Sequence, residues 1–138
     1  MPAHVLRGNT FAARYFKQGG ERQFDAETPL RDALEFDLDD PEHFERASTD
    51  IPLGAVWILN AGDEIRLLCQ DDAKRLARVK GPNDNSLWNG DLRFCLGRWQ
   101  FWKQRFHELQ EMSKLDARTR AFAADAWTKM EDIDHRFE

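Results

Sequence analysis

The sequence predicts an all-α protein, a single bundle of about five helices that ends in an antiparallel helical hairpin. Three observations support this. Apolar residues recur at intervals of three and four along most of the chain. Almost no segment alternates apolar and polar residues as a half-buried strand does. The 138 residues, 41 % hydrophobic and 33 % charged, have the size and composition of one globular domain. We therefore expect one helical domain at 1–138, with frayed ends at 1–4 and 134–138.

In the first half of the chain, turn residues and N-cap signatures delimit three helices, at about 3–18, 28–38 and 41–47. Thr28-Pro29 and Asp40-Pro41 each combine a capping residue with a proline that fits a first helical turn. The pair Gly19-Gly20 ends the first of these helices.

The central helix is predicted to begin at Asp50 as N-cap, with Pro52 in its first turn. Its apolar stripe extends from Trp57 to Cys69, and the pattern continues towards Val79. Small residues along this helix, among them Gly54, indicate that a neighbouring helix approaches closely.

Two further helices are predicted in the last third, at about 94–112 and from the Asp116 cap to about Ile133. The first is aromatic, and its buried stripe consists of Cys95, Trp99, Trp102, Phe106 and Leu109. The short connection between the two helices predicts the antiparallel hairpin. The polar loop at 81–91 contains Leu87-Trp88, a pair that we expect to anchor the loop against the domain.

Two C-terminal motifs are distinctive: Trp99-x-x-Trp102-Lys103-x-Arg105-Phe106 and Leu115-Asp116-x-x-Thr119-Arg120-x-x-Ala123. Upstream lie Leu30-Arg31-Asp32-Ala33-Leu34-Glu35, the segment 57–62 and Trp88-Asn89-Gly90. Together these motifs resemble a domain family of unknown function from filamentous ascomycete fungi, and the two C-terminal motifs carry most of the resemblance. The resemblance covers about 11–134. It implies an intracellular, helical fungal protein and brings no known activity, cofactor or catalytic residue.

Charge and composition exclude several classes of function. The net charge is −5, and no basic run exceeds two residues, so we expect no nucleic-acid partner. No segment approaches the ~20 apolar residues of a membrane span. The N-terminal residues have no apolar core of a secretion signal, so we expect a cytoplasmic protein, with the nucleus as an alternative. Cys69 and Cys95 are expected to be buried thiols, although one disulfide between them stays open.

No catalytic or metal-binding motif stands out. His107 with Glu111, and Glu131 or Asp132 with His135, lie one helical turn apart, but no further inward carboxylates complete a metal site. Both cysteines fall on apolar stripes, where a reactive thiolate is disfavoured. We therefore expect no metal and no cofactor.

Candidate binding residues are aromatic or flank the apolar stripes: Trp57, Asn60, Asp63, Trp88, Arg98, Trp99, Phe101, Trp102, Arg105 and His107. The alternative for each is a structural role in the core or at its boundary. We favour a non-catalytic module for protein interaction or self-association, in which such residues form a partner surface or a homodimer contact. The rival hypothesis is a protein or enzyme of fungal secondary metabolism that binds a small hydrophobic ligand in an aromatic-lined pocket.

Overall fold

The computed structural model describes residues 23–70, 86–88, 90 and 94–137. These ranges contain four helices: α1 (Gln23–Leu34), α2 (Pro41–Gln70), α3 (Leu96–Gln110) and α4 (Ala117–Phe137). The predicted all-α class is confirmed, because the only β-structure in these ranges is a single bridge between Phe36 and Ser86. The first predicted helix, the continuation towards Val79 and most of the loop before Ser86 lie outside the described residues.

Helix α1 differs from its prediction at both ends. It begins at Gln23 instead of Thr28, so Pro29 lies inside the helix. It ends at Leu34 instead of Leu38, because the chain then pairs with the loop: Leu87 N donates to Glu35 O at 2.6 Å. That pairing turns the backbone away from the helical path.

Helix α2 joins what we predicted as two helices. Asp40 is an N-cap as predicted, since its Oδ1 accepts a hydrogen bond from Glu42 N at 2.9 Å. The predicted cap at Asp50 was wrong: Asp50 and Pro52 both lie inside the helix. Buried apolar residues on both sides of Pro52 pack against the neighbouring helix, and this packing outweighs the local preference for a break.

A kink in α2 lies at Ala61, whose backbone angles are φ −134° and ψ 20°. Asn60 lies next to this kink, and its Nδ2 donates to Val56 O at 2.9 Å, one turn back in the same helix. The amide of Asn60 thus satisfies a backbone carbonyl beside the distorted turn.

Glycines in α2 allow close helix contacts, as the sequence predicted. A Cβ placed on Gly54 would lie 2.7 Å from the Cβ of Ala33 and 3.2 Å from the backbone oxygen of Pro29, both in α1. A Cβ on Gly62 would lie 2.7 Å from Cδ1 of Ile133 in α4. Helix α2 therefore packs against α1 on one part of its length and against α4 on another.

Helices α3 and α4 begin near their predicted starts. Cys95 Sγ accepts from Arg98 N at 3.4 Å and caps α3. Asp116 caps α4 as predicted, because its Oδ1 accepts from Thr119 N at 2.8 Å. Helix α4 continues to Phe137, beyond the predicted end at Ile133, since its last turn packs against α2 and α3.

The aromatic stripe of α3 is core, as predicted. Trp99, Trp102, Phe106 and Leu109 are all fully buried. Contacts between α3 and α4 join Trp99 to Asp134, Lys103 to Glu131 and His107 to Trp127. Residue numbers therefore rise along α3 as they fall along α4.

Two further expectations concern the cysteines and the membrane. Cys69 and Cys95 are buried, as predicted, and no disulfide joins them. Among the helices of the described residues, none has the length and apolar character needed to cross a membrane.

Candidate functional site

A buried charge cluster connects α3 to the end of α1; we call Glu35, Arg98 and Trp102 the Glu35 cluster. Both charged side chains are fully buried. Arg98 donates to Glu35 through Nε at 2.7 Å and through an Nη nitrogen at 3.0 Å. Trp102 Nε1 donates to the same carboxylate at 2.6 Å. Every oxygen of this buried carboxylate thus has a donor, as a charge removed from water requires.

The guanidinium of Arg98 is held from several sides. It also donates to Glu27 Oε1 at 3.0 Å and lies 5.0 Å from the ring centroid of Trp102. Burial alone would lower the pKa of Arg98, but the hydrogen bonds and charges of Glu35 and Glu27 raise it overall. Arg98 therefore stays protonated, with its charge used inside the protein.

A second arginine of α3 binds the carbonyl groups at the end of α1. Arg105 Nε donates to Leu34 O at 2.9 Å, and an Nη nitrogen lies 3.4 Å from Phe36 O. The last carbonyls of a helix have no partner within the helix and carry partial negative charge. Arg105 thus caps α1 from a different helix.

The loop tryptophan Trp88 packs on the flank of α3. Its ring lies 5.4 Å from the ring of Phe101 between centroids. A Cβ on Gly90 would lie within 2.3 Å of this indole, so glycine at that position gives the ring its space. The loop anchor is confirmed for Trp88, whereas Leu87 is exposed.

A second charge cluster joins the ends of α2, α3 and α4; we call Arg66, Trp99, Lys103 and Asp134 the Asp134 network. Asp134 Oδ1 accepts from Arg66 Nε at 3.1 Å and from Trp99 Nε1 at 2.9 Å. Asp134 Oδ2 accepts from Lys103 Nζ at 2.7 Å. Burial would raise the pKa of Asp134, but these hydrogen bonds lower it overall, so its carboxylate stays charged.

A cavity of about 280 Å³ lies beside this network, and we call it the polar cavity. Its lining consists of Arg66, Gln100, Lys103, Glu131, Asp134, His135 and Phe137. Lys103 also pairs with Glu131 at 2.9 Å. The pKa of Lys103, which burial would lower, is raised by its bonds to Asp134 and Glu131, so this wall holds fixed charges of both signs.

Next to the polar cavity, a half-buried aromatic pair lies between α3 and α4. The rings of His107 and Trp127 lie 5.1 Å apart between centroids, tilted by 38°. Gln110 Nε2 lies 3.1 Å from His107 Nδ1. We call the surface formed by His107, Gln110, Ala124 and Trp127 the α3–α4 seam.

Comparison with known proteins identifies the family. The model of a family described as a protein of unknown function, DUF3632, matches residues 2–106, which is well over half of the chain. The chain belongs to the DUF3632 family. The predicted relation to a family of unknown function is thereby confirmed. Searches of characterised proteins and of solved structures found no match.

The DUF3632 match contains the whole Glu35 cluster and ends at Phe106, inside α3. Helix α4 lies beyond the matched segment, although it packs against both α2 and α3. The end of the family match at Phe106 therefore does not mark the end of the packed helices. The predicted motif that begins at Leu115 also lies beyond the match and stays a prediction.

In this DUF3632 protein the predicted binding residues fall into separate places. Arg98, Trp102 and Arg105 meet at the end of α1, while Trp99 joins Asp134. Phe101 packs on Trp88, and His107 lies in the α3–α4 seam. The structure does not bring these residues together in one pocket.

The three candidates on α2 lie apart from the others. Trp57 is core, at 1 % exposure. Asn60 bonds its own helix, and Asp63 Oδ1 accepts from Arg136 of α4 at 2.8 Å. Among the described residues, no group of three His, Cys, Asp or Glu side chains could hold a metal ion.

Sequence reasoning did not single out Glu35 and Asp134, the carboxylates at the centre of the two clusters. A signal for both was present: each lies at or near the C-terminus of a helix, where negative charge is unfavourable. An acidic residue at such a position requires a cation from elsewhere in the fold, and Arg98, Arg66 and Lys103 provide it.

A third group of charges lies between α1 and α2. Asp32 and Asp50 line a small cavity of about 170 Å³. The pKa of Asp50 is raised to about 6, first because burial disfavours its charge and second because Asp32 is near. Arg46 and His43 oppose this shift, because each lowers the pKa of Asp50. The Nε atom of Arg46 lies 3.9 Å from Oδ2 of Asp50. Burial also raises the pKa of Asp32.

We expect the substitution Asp50→Asn to stabilise the protein by about 1 kcal/mol at pH 7, a value reduced for solvent screening of this half-buried group. A carboxyl group whose pKa is higher in the folded than in the unfolded protein favours folding in its protonated form. Its contribution to stability is therefore fully present below the pKa of the unfolded state. That stability is lost as pH rises through about 6. Urea denaturation between pH 4 and 8 should therefore show a decline in the wild type and little decline in the variant. A decline of equal size in both would contradict the prediction, and Asp125→Asn, at an exposed site on α4, is the control.

Proposed function

We propose that this DUF3632 protein is a non-catalytic helical module that works through protein contacts inside the fungal cell. We propose further that α3 and α4 form an antiparallel hairpin. The protein associates with a second copy of itself through the α3–α4 seam, which lies on this hairpin. The observation that carries the proposal is the half-buried pair of His107 and Trp127.

The chemistry of the seam supports a protein contact. A tryptophan offers a large apolar surface with few internal rotations, and tryptophans are enriched among the residues that dominate binding energy at interfaces. Trp127 is already held by the ring of His107, which Gln110 contacts in turn. Such a side chain loses little conformational freedom when a partner covers it.

Charge complementarity supports a second copy as the partner. A two-fold interface places the same surface on both sides, so that surface must complement itself. The seam is bordered by charges of both signs, Lys103 and Glu131 on one side and Arg120 on the other. Charges of both signs at the border of one surface can pair with the opposite charges of an identical surface.

The contacts made by the buried charged residues of α1 and α3 support a non-catalytic module. The charged groups of the Glu35 cluster bond to each other, and Arg105 bonds to the backbone of α1. A catalytic group needs access to a substrate. These groups instead form the contacts that hold α1 and α3 together.

Sedimentation velocity of the full chain at increasing concentration tests self-association. We expect a concentration-dependent dimer that Trp127→Glu weakens at least about tenfold, because the variant puts a charge at the centre of the contact. Phe122→Ala is the matched control, since Phe122 is a half-buried aromatic on the other flank of α4. A wild type that stays monomeric up to about 100 μM, a concentration far above a stable dimer's range, would refute the proposal.

A second candidate function is the binding of a small molecule. The rival hypothesis places Trp57, Trp88, Trp99 and Trp102 around an aromatic pocket. Of these, Trp57, Trp99 and Trp102 lie in the core at 0–1 % exposure, and Trp88 packs on Phe101. The observation that favours a ligand is instead the polar cavity, whose wall is charged. For this second candidate function we therefore expect a polar ligand in place of a hydrophobic one.

A further inference from the structure

The polar cavity has the size of a small ligand site. Its volume of about 280 Å³ lies near the lower limit for small-molecule pockets, about 300 Å³. It lies where α2, α3 and α4 meet, so rigid elements position its wall. Its charged groups are mostly buried: the side chains of Arg66, Lys103 and Asp134 are 10, 15 and 13 % exposed.

The hydrogen-bonding groups left over in this wall are mostly donors. Arg66 uses Nε for Asp134 and Nη1 for Gln70, which leaves its Nη2 group without a partner among the described residues. Lys103 has three N–H bonds, and two acceptors engage it. Gln100 is exposed, and its side-chain amide makes no hydrogen bond within the same ranges.

Three of the four carboxylate oxygens in the wall are engaged by donors of the described residues. Both oxygens of Asp134 accept hydrogen bonds, and Glu131 Oε1 is paired with Lys103. The cations are therefore fixed in place by their partners while still presenting free N–H groups. This is a preorganised arrangement, in which binding orders few additional groups.

We propose that the polar cavity binds a small molecule with a single carboxylate, held by Arg66, Lys103 and Gln100. A carboxylate matches the planar donors of a guanidinium. The anions Glu131 and Asp134 in the same wall repel a doubly charged phosphate more strongly than a carboxylate. The ring of Phe137, which lies 4.7 Å from the Arg66 guanidinium, gives the body of the ligand an apolar contact. The proposal is independent of self-association.

Nuclear magnetic resonance of the ¹⁵N-labelled full chain tests this proposal with benzoate as the probe. Trp99 Nε1 donates to Asp134, so its indole resonance, assigned with a Trp99→Phe variant, reports on the cavity. We expect a saturable shift with benzoate. Benzamide, the neutral analogue, and inorganic phosphate should bind at least about tenfold more weakly.

A surface variant identifies the site. Gln100→Leu removes one donor from an exposed position and should weaken benzoate binding about five- to tenfold. Gln104→Leu, one turn further along α3 and also exposed, is the matched control and should leave binding unchanged. Equal binding of benzoate and benzamide, no saturable shift, or equal effects of the two leucine variants would overturn the proposal. Trp127→Ala, which removes the proposed dimer contact without adding a charge one turn from Glu131, should bind benzoate like the wild type, which separates this test from that of self-association.

Discussion

Replacing Arg98 with alanine should lower the free energy of unfolding by about 3–5 kcal/mol, since a buried carboxylate is left without its charge partner. Glu35 and Arg98 are both fully buried, and the bond between Arg98 Nε and Glu35 Oε2 is 2.7 Å long. In the variant, Trp102 Nε1 is the side-chain donor to this carboxylate that remains among the described residues. Urea denaturation at pH 7 measures the loss.

A double variant separates the cost of an unpaired charge from the value of the pair. Arg98→Met combined with Glu35→Leu removes both charges and keeps similar volumes, so we expect it to be more stable than either single variant. The control is Arg118→Ala, because Arg118 is an exposed arginine whose guanidinium lies 5.2 Å from the ring of Phe122. A loss below about 1 kcal/mol for Arg98→Ala, the size typical of surface pairs, would contradict the buried geometry.

Replacing Asp134 with alanine should destabilise the protein by about 2–4 kcal/mol, because Arg66 and Trp99 both lose an acceptor in a buried position. The three donors to Asp134 come from two helices, α2 and α3, so this carboxylate joins α4 to both. Asp132→Ala is the matched control, since Asp132 lies in the same helix with 67 % of its side chain exposed. Similar denaturation midpoints for the two variants would contradict the prediction.

The pH dependence of Asp134 has the opposite sign to that of Asp50. The pKa of Asp134 is lowered in the folded protein. Its contribution is therefore present above the ordinary aspartate pKa and is lost as pH falls through the folded value. We expect Asp134→Asn to reduce the loss of wild-type stability below about pH 4, near the unperturbed aspartate value. Acid denaturation followed by circular dichroism measures this loss of stability. An acid-unfolding transition at the same pH in the wild type and in Asp134→Asn would count against the Asp134 network.

The sequence was most informative where side-chain chemistry acts over one or two helical turns. Asp116 and Asp40 cap helices as predicted, because a cap depends on residues two or three positions away. The aromatic stripe of α3 is core because a repeat of three and four places it on one face. These features required no knowledge of the tertiary fold.

The errors arose where tertiary packing determines the local structure. Pro29 and Pro52 suggested helix starts, yet both lie inside helices. Gly54 brings the two helices into contact beside Pro29, and that contact favours continuous helices. Asp50 suggested an N-cap because it precedes Pro52 by two positions, whereas the helix that packs against it is not visible in the local sequence.

The sites were harder to predict than the helices. The pattern identified Arg98, Trp102 and Arg105 as unusual, but their common target is the end of α1, more than 60 residues earlier. The polar cavity combines residues from three helices whose relative positions no local pattern gives. A search for acidic residues at helix C-termini would have found its central carboxylate.

The long separation between Glu35 and Arg98, 63 positions in the chain, has a consequence for biosynthesis. A ribosome adds about 5–20 residues per second, so Glu35 is made roughly 3–13 s before Arg98. During that interval the carboxylate lacks the guanidinium with which it pairs in the folded protein. The amino-terminal part of the nascent chain therefore cannot complete its native packing until α3 has been translated. Truncated chains that end before Arg98 should be substrates for chaperones and proteases.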